Sequence, residues 1–525
     1  MGPRGLKKAE TMNKDRPTVE FEGFRYQVRD GESLLDSLIR GGAEVDFSCR
    51  HGVCQTCMMR VLSGEVNLEA TKALRQELVD SGHFLPCRAH PKADLTVGLA
   101  DYSQLTLEAI VSEKVALSPS VVRLSIEPAV NLDWTPGQYI NLINPEGISR
   151  NYSIASIAEE DYFVHLHVKR VDNGVVSGWI HDALEVGDFI KIQGPMGECV
   201  YDLDNPERTL VLLATGTGLA PLYGVLRDAL RHGHRGPILL YHGVATPDEL
   251  YLNAELVALA RAHANLRYFP CVGEQSVTQA AFDSPSFSQD VAEHALYLCG
   301  NPGMVYHARY LAIGAGFRRA HILADPFISD EPYWPQDGQK LQSLPPEPEL
   351  WAALEQGPKL RRILEDVYDQ IYADPRLSPF FQHATKERAI SKQYEFLAAI
   401  FHAESSYFGL NPFNAHHWMI FSDEIFDHRE DLFENTLRKH GVQERFIRRW
   451  MSIQELFRRE MVKSSERGMI MGGEEHLKSG YSQEVLGVGS ICDGCQRELP
   501  AGSAGLMHQR TGHFYCVHCN PHAVG

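Results

Sequence analysis

The sequence predicts a multidomain chain: an α+β segment, an antiparallel β segment, a parallel α/β segment, an all-α segment and a small cysteine-rich tail, in that order. Three observations carry this expectation. The hydrophobic rhythm changes along the chain, from short alternating runs to buried runs and then to helical spacing. Polar stretches rich in proline or glycine separate the later segments. Two groups of four cysteines stand in metal-ligand spacings, one towards each end. With 525 residues the chain is long enough for several cores.

Residues 18–100 form the first module. VEFEGFRYQV alternates as a strand hairpin does, and SLLDSLIRGG is a short helix stopped by glycines. Cys49, Cys54 and Cys57 read C-x4-C-x2-C, and Cys87 follows after a long gap. Iron needs thiolate ligands, and this is the spacing of a plant-type [2Fe–2S] cluster. Gly52 lets backbone N–H groups approach the sulfides. A structural zinc site would more often use two separated C-x2-C knuckles. The segment resembles plant-type ferredoxin domains along its full length, which implies their β-grasp fold.

Residues 103–203 are rich in β-branched strands and Gly/Pro turns, as in an antiparallel barrel. After the turn in WTPGQYINL comes Arg150-Asn151-Tyr152-Ser153. Arg150 offers a cation for a pyrophosphate and Tyr152 an aromatic wall, on the same side of one strand. Gly174 to Ser177 precede a helix whose first N–H groups can hold phosphate. In this order the pieces resemble the ferredoxin-reductase family, whose arginine, tyrosine and serine at these positions hold FAD.

Residues 208–328 read as a parallel α/β sheet. LLATGTGLAP is a buried strand running into a glycine turn, with Thr215, Gly216, Thr217 and Gly218 placed to let a dinucleotide approach the backbone. Cys299 and Gly300 end a second strand expected at the same sheet edge. In the reductase family this cysteine lies beside the nicotinamide; a buried core thiol is the plainer alternative. No arginine follows PILLYHGV to meet a 2′-phosphate, which favours NADH over NADPH. The order ferredoxin, flavin, nicotinamide resembles the reductases of bacterial ring-hydroxylating dioxygenases.

A proline-rich linker is expected over 329–350 and helices over 351–462. Leu364, Val367, Tyr368 and Ile371 share one helical face. Ala389, Gln393, Phe396, Leu397 and Ile400 share another, and Gln393 is a polar group in that apolar stripe. His416 precedes Met419, and His417 is a second candidate ligand. This stretch resembles a truncated haemoglobin. Tyr368, Phe381, Gln393, Phe396, Tyr407, Gly409 and His416 fall at that family's relative spacings. The resemblance implies haem b with His416 as proximal ligand, Tyr368 and Gln393 as distal hydrogen-bond donors and Phe381 as a packing residue. The family's Gly-Gly pair is replaced here by His402-Ala403-Glu404.

A second linker is expected over 463–490 and a metal module over 491–521. Cys492, Cys495, Cys516 and Cys519 form two C-x2-C pairs, which read as a zinc site that supplies the folding energy of a small tail. A rubredoxin-like iron site is the runner-up. The tail is also a candidate docking surface for a protein partner.

Formal net charge is −18 with no basic block, which argues against nucleic acid or an anionic membrane as partner. No apolar run approaches a membrane span and no signal peptide is evident, so a cytoplasmic enzyme acting on NADH, O2, nitric oxide or related small oxidants is expected. Eight of eleven cysteines in metal spacings fit a reducing compartment. The family resemblances together imply an NADH-dependent nitric oxide dioxygenase. The alternatives are a haem reductase of nitrite, hydroxylamine or peroxide, and a gas-sensing globin that gates a reductase for a separate oxygenase.

Overall fold

The computed structural model describes residues 16–28, 32–43, 45, 57–72, 74, 76–100, 106–284, 291–328, 333–381, 384–402, 410–417, 419, 422–463, 467–471, 473–476, 481–486, 490–492, 497–508 and 514–519. The chain divides into two compact units, with the boundary between Glu331 and Pro332.

The first unit holds three modules. In the N-terminal one, Thr18–Phe21 pairs with Phe24–Gln27 across the turn at Glu22-Gly23 and runs parallel to Leu95–Leu99. The helix Leu34–Gly41 is capped by Ser33, whose hydroxyl accepts from the Asp36 N–H, and is stopped by Gly42 in the left-handed region. Val19, Phe21, Leu34, Leu38, Phe84 and Val97 form its core.

The middle module is a six-stranded antiparallel sheet. A bridge from Ile154 to Leu166 joins its two edges, so the sheet closes into a barrel as expected. The third module is a five-stranded sheet, parallel throughout, with Leu210–Thr215 central and flanked by Ile238–Val244 and Ala295–Gly300; Leu266–Val272 and Ile322–Pro326 are its edges. The central strand Leu210–Thr215 and its neighbour Ala295–Gly300 are almost wholly apolar and buried, as parallel strands covered on both faces are.

The second unit is helical at its centre: Pro358–Ala373, Lys386–His402, Asp423–Lys439 and Glu444–Leu456 enclose Leu364, Val367, Leu397, Phe401, Phe433 and Trp450. The ring of Phe401 meets Trp450 edge-on at 5.2 Å. Its buried charges are paired: Arg458, wholly inaccessible, meets Glu455 and Asp423 at 2.6 and 2.8 Å and also pairs with Asp427.

Described residues in both expected linkers carry secondary structure. Residues 337–353 carry the helices Asp337–Ser343 and Pro348–Ala353, and Lys340 Nζ pairs with the buried Glu460 at 2.8 Å. Residues 469–485 carry the hairpin Met469–Met471 with Glu474–His476 and the strand Tyr481–Val485. Prolines and exposed polar residues suggested linkers; a long-range ion pair and strand pairing hold these described elements. Because Tyr481–Val485 pairs with Ala504–His508, the tail's sheet begins ahead of residue 491. No described helix is long and apolar enough to cross a membrane.

Candidate functional site

Cys57 and Cys87 are both buried, and their sulfurs stand 3.4 Å apart. That is well beyond a disulfide bond and fits two thiolates gathered on one iron. Cys49, Cys54 and Gly52 lie outside the described residues.

In the barrel, Ser149–Ser153 runs beside Tyr139–Ile143, with Arg150 opposite Leu142 and Tyr152 opposite Ile140. Arg150 and Tyr152 therefore share a face, as the strand period requires. Arg150 is exposed and Tyr152 half-buried. Burial raises the Tyr152 phenol above its ordinary value, the Arg150 charge opposing. Gly174 is the N-cap of the helix Val175–Asp182 and makes no side-chain cap bond to its first turn. Ser177 is not ahead of this helix but in its first turn. Its hydroxyl accepts from the Val171 N–H at 3.2 Å and donates to the Gly174 carbonyl at 3.4 Å, so it braces the loop.

Thr215 and Cys299 end adjacent parallel strands, the sheet edge at which α/β proteins hold ligands. Thr215 Oγ1 accepts from the Asn301 N–H at 2.8 Å and ties the two strand ends together. Gly216 has φ +54°, and its carbonyl accepts from His242 Nε2 at 3.1 Å. Burial holds His242 neutral, with a pKa lowered to about 4. Thr217 is half-buried in the same turn. Gly218 packs so closely that a Cβ would overlap the Cys299 carbonyl. Gly300, at φ +118°, packs on Thr215 in the same way. The Cys299 thiol is wholly buried, raised by burial, and lies 3.7 Å from Cys199 Sγ.

Asp325 went unnoticed in the sequence. It ends the edge strand Ile322–Pro326 opposite Cys299, and Ser153 Oγ donates to its carboxylate at 3.3 Å. Burial raises its pKa to about 6. The only sequence signal was an acid at the end of the last parallel strand. Ser153 thus joins the flavin strand to the nucleotide sheet.

In the helical unit, Tyr368 is buried and meets Phe381 edge-on at 5.8 Å. Neither its hydroxyl nor the half-buried Gln393 amide bonds to a described residue. Tyr407 and Gly409 lie outside the described residues. His416 Nδ1 donates to the Pro412 carbonyl at 2.8 Å, and burial lowers its pKa to about 4. The ring is therefore neutral, with its proton on Nδ1 and its lone pair on Nε2, the form that ligates iron. His417 donates in the same manner to Asn414 at 2.7 Å. A neutral imidazole of fixed tautomer, with a buried phenol and an amide in the same unit, fits a haem pocket.

In the tail, the sulfurs of Cys492, Cys516 and Cys519 lie within 4.8 Å of one another, and the Cys516 N–H donates to Cys492 Sγ at 3.3 Å. Three converging thiols with an N–H to sulfur are a donor set that can hold zinc. Cys495 lies outside the described residues.

Four family models match: 2Fe-2S iron-sulfur cluster binding domain (18–92), oxidoreductase FAD-binding domain (108–201), oxidoreductase NAD-binding domain (212–310) and bacterial-like globin (350–462). Their cofactors are a 2Fe-2S cluster, FAD, NAD and haem. Over 306 residues the chain is 35% identical to the reductase subunit of an aromatic O-demethylase from Amycolatopsis sp., a match covering 55% of this chain and 91% of that protein. It is 33% identical over 310 residues to the phenol 2-monooxygenase reductase component DmpP of Pseudomonas sp., covering 55% and 87%. The crystal structure of the Amycolatopsis cytochrome P450 reductase GcoB matches with a TM-score of 0.42 and 31% identity, covering 59% of this chain and 98% of that one. The chain belongs to the family of oxygenase reductase components built from iron–sulfur, FAD-binding and NAD-binding domains, here continued by a bacterial-like globin.

Proposed function

We propose that this chain is a self-sufficient, NADH-dependent nitric oxide dioxygenase. Electrons from NADH pass through FAD and the 2Fe-2S cluster to the globin haem, where nitric oxide and O2 become nitrate. The observation that carries this reading is the joining of a complete reductase and a globin in one polypeptide.

The residues take the following parts. Arg150 neutralises the FAD pyrophosphate and Tyr152 flanks the ring. Gly174 opens the helix N-terminus to phosphate, and Ser177 fixes that loop. Thr215, Gly216, Thr217, Gly218 and Gly300 shape the backbone cradle for NADH. Cys299, held against Cys199, packs the floor under the nicotinamide. Beyond Ile238–Val244 come Asp248 and Glu249, with Glu249 paired to Lys169 at 2.9 Å. Lys169 neutralises Glu249, so the exposed Asp248 and the lack of an arginine in this stretch of the sequence are what favour NADH. His416 ligates the haem iron, Phe381 packs on the macrocycle, and Tyr368 and Gln393 donate hydrogen bonds to the iron-bound substrate. Cys49, Cys54, Cys57 and Cys87 hold the cluster; Cys492, Cys495, Cys516 and Cys519 hold zinc.

Stopped-flow mixing of the reduced, aerobic full-length chain with nitric oxide tests the reading. One NADH should be oxidised for every two nitrate ions formed, and His416→Ala should abolish nitrate formation while flavin reduction by NADH persists. Nitric oxide consumption without nitrate, or nitrate formation undiminished in His416→Ala, would refute it.

The relatives, a demethylase reductase subunit and a monooxygenase reductase component, support a second reading, in which the chain supplies a separate oxygenase docked at the cysteine-rich tail and the globin senses gas. Deleting residues 491–525 would then stop electron delivery to the partner and leave nitric oxide consumption intact.

A further inference from the structure

The helix that carries His416 is short, Pro412–His416, and its N-cap residue Asn411 makes no side-chain bond to it. Pro412 has no N–H, so the Phe413 N–H is the first donor of the helix and needs an acceptor from elsewhere. It finds one 76 residues upstream: Phe413 N donates to Asp337 Oδ2 at 2.8 Å. Asp337 is 5% exposed, and its other oxygen accepts from the Gly338 N–H at 2.9 Å. Both oxygens accept, as a carboxylate does.

The same peptide group carries a second bond. Its carbonyl, on Pro412, accepts the His416 Nδ1 proton at 2.8 Å. A chain of hydrogen bonds thus runs from the Asp337 carboxylate, through the Pro412–Phe413 peptide, to the imidazole. Bonds in such chains polarise one another: charge drawn onto the peptide N–H makes its carbonyl a stronger acceptor. A stronger acceptor on Nδ1–H makes Nε2 more basic. The helix that Asp337 begins, Asp337–Ser343, is itself anchored. Three residues on, Lys340 Nζ pairs with Glu460 at 2.8 Å and donates to the Leu456 carbonyl at 2.9 Å, and the Tyr333 hydroxyl donates to Glu460 at 2.7 Å.

We propose that Asp337 is a positioning residue for the haem iron: through the Pro412–Phe413 peptide it orients His416 and raises the electron donation of Nε2 to the metal. This rests on the reading of His416 as the axial ligand. The segment leaving the reductase is thereby part of the proximal side of the haem site.

The test is resonance Raman spectroscopy of the ferrous, ligand-free full-length chain, read at the iron–histidine stretching band. Asp337→Asn keeps an acceptor and removes the charge; its band should fall in frequency and the ferric/ferrous midpoint should rise. Asp337→Glu keeps the charge and should retain the wild-type band. Should Asp337→Asn lose haem on purification, Asp337→Ser is read in its place with the same expectation. A band present in the wild type and unmoved in Asp337→Asn overturns the inference and leaves the axial-ligand reading standing. An equal fall in Asp337→Glu also overturns it, because packing rather than charge would be at work. No iron–histidine band in the wild type overturns both.

Discussion

In the parallel sheet the candidate site is drawn by backbone. Strand ends bring Thr215 beside Gly300, Gly218 presses on the Cys299 carbonyl, and Thr215 Oγ1 ties down the Asn301 N–H. In the helical unit the candidate site is held by side chains that arrive from far along the sequence. Asp337 reaches Phe413, Asn414 bonds Ile470 in both directions, and Lys340 reaches Glu460. A backbone site is sensitive chiefly to the gain of a side chain where glycine is required. A side-chain site depends on buried polar partners whose removal leaves unpaired groups.

Substitutions can break that contrast. The largest effect is expected from Arg458→Met, which removes the buried guanidinium shared by Glu455, Asp423 and Asp427 and should cost the helical unit about 3–5 kcal/mol. Calorimetry should show its transition fall while NADH-driven flavin reduction is untouched; adding Glu455→Leu should recover most of the loss. Next comes Gly218→Ala. Its methyl would overlap the backbone of Cys299, an overpacking cost of about 3 kcal/mol, with NADH oxidation lost and haem content unchanged. Normal NADH oxidation in that variant would mean the turn is not backbone-limited.

Acid sharpens the comparison. His167 and His242 in the first unit are buried and neutral, with pKa values lowered by burial to about 3 and about 4. The unfolded chain takes up protons near pH 6.5, so their contribution is full above that pH. It is lost as pH falls towards 4 and then 3, about 3 kcal/mol for His242 and about 5 kcal/mol for His167. Thermal melts of the first unit should fall steeply between pH 6.5 and 4, and His242→Gln should flatten the slope. A melt independent of pH in that window would contradict the assignment. The smallest effect is expected for Asn414→Ala, which removes both bonds to Ile470 at about 1–3 kcal/mol and should speed hydrogen exchange at the Ile470 amide.

The same contrast explains what the sequence could disclose. Cys57 and Cys87, Thr215 to Gly218 and Gly300 were legible because a cluster or a close backbone approach demands fixed residue types at fixed spacing. The barrel and the parallel sheet were legible from rhythm. Asp337 was not: it sits in a proline-rich stretch, and its role depends on a fold that brings it 76 residues along the chain to Phe413. Asp325 and His242 were hidden for a similar reason, since a lone acid or histidine at a strand end acquires meaning only through burial and its partner. The strands after residue 463 were missed because Met469–Met471 and Glu474–His476 are three residues each, too short to show a period.

The central claim is that reducing equivalents entering at the nicotinamide site reach the iron held by His416 in the same chain. Anaerobic NADH titration of the full-length protein, followed by absorbance, measures this directly. Flavin should bleach first, and the haem bands should then move to their ferrous positions with further NADH; in Cys57→Ser the flavin should bleach as before while haem reduction slows. Haem that stays ferric beside fully bleached flavin in the wild type would contradict the account.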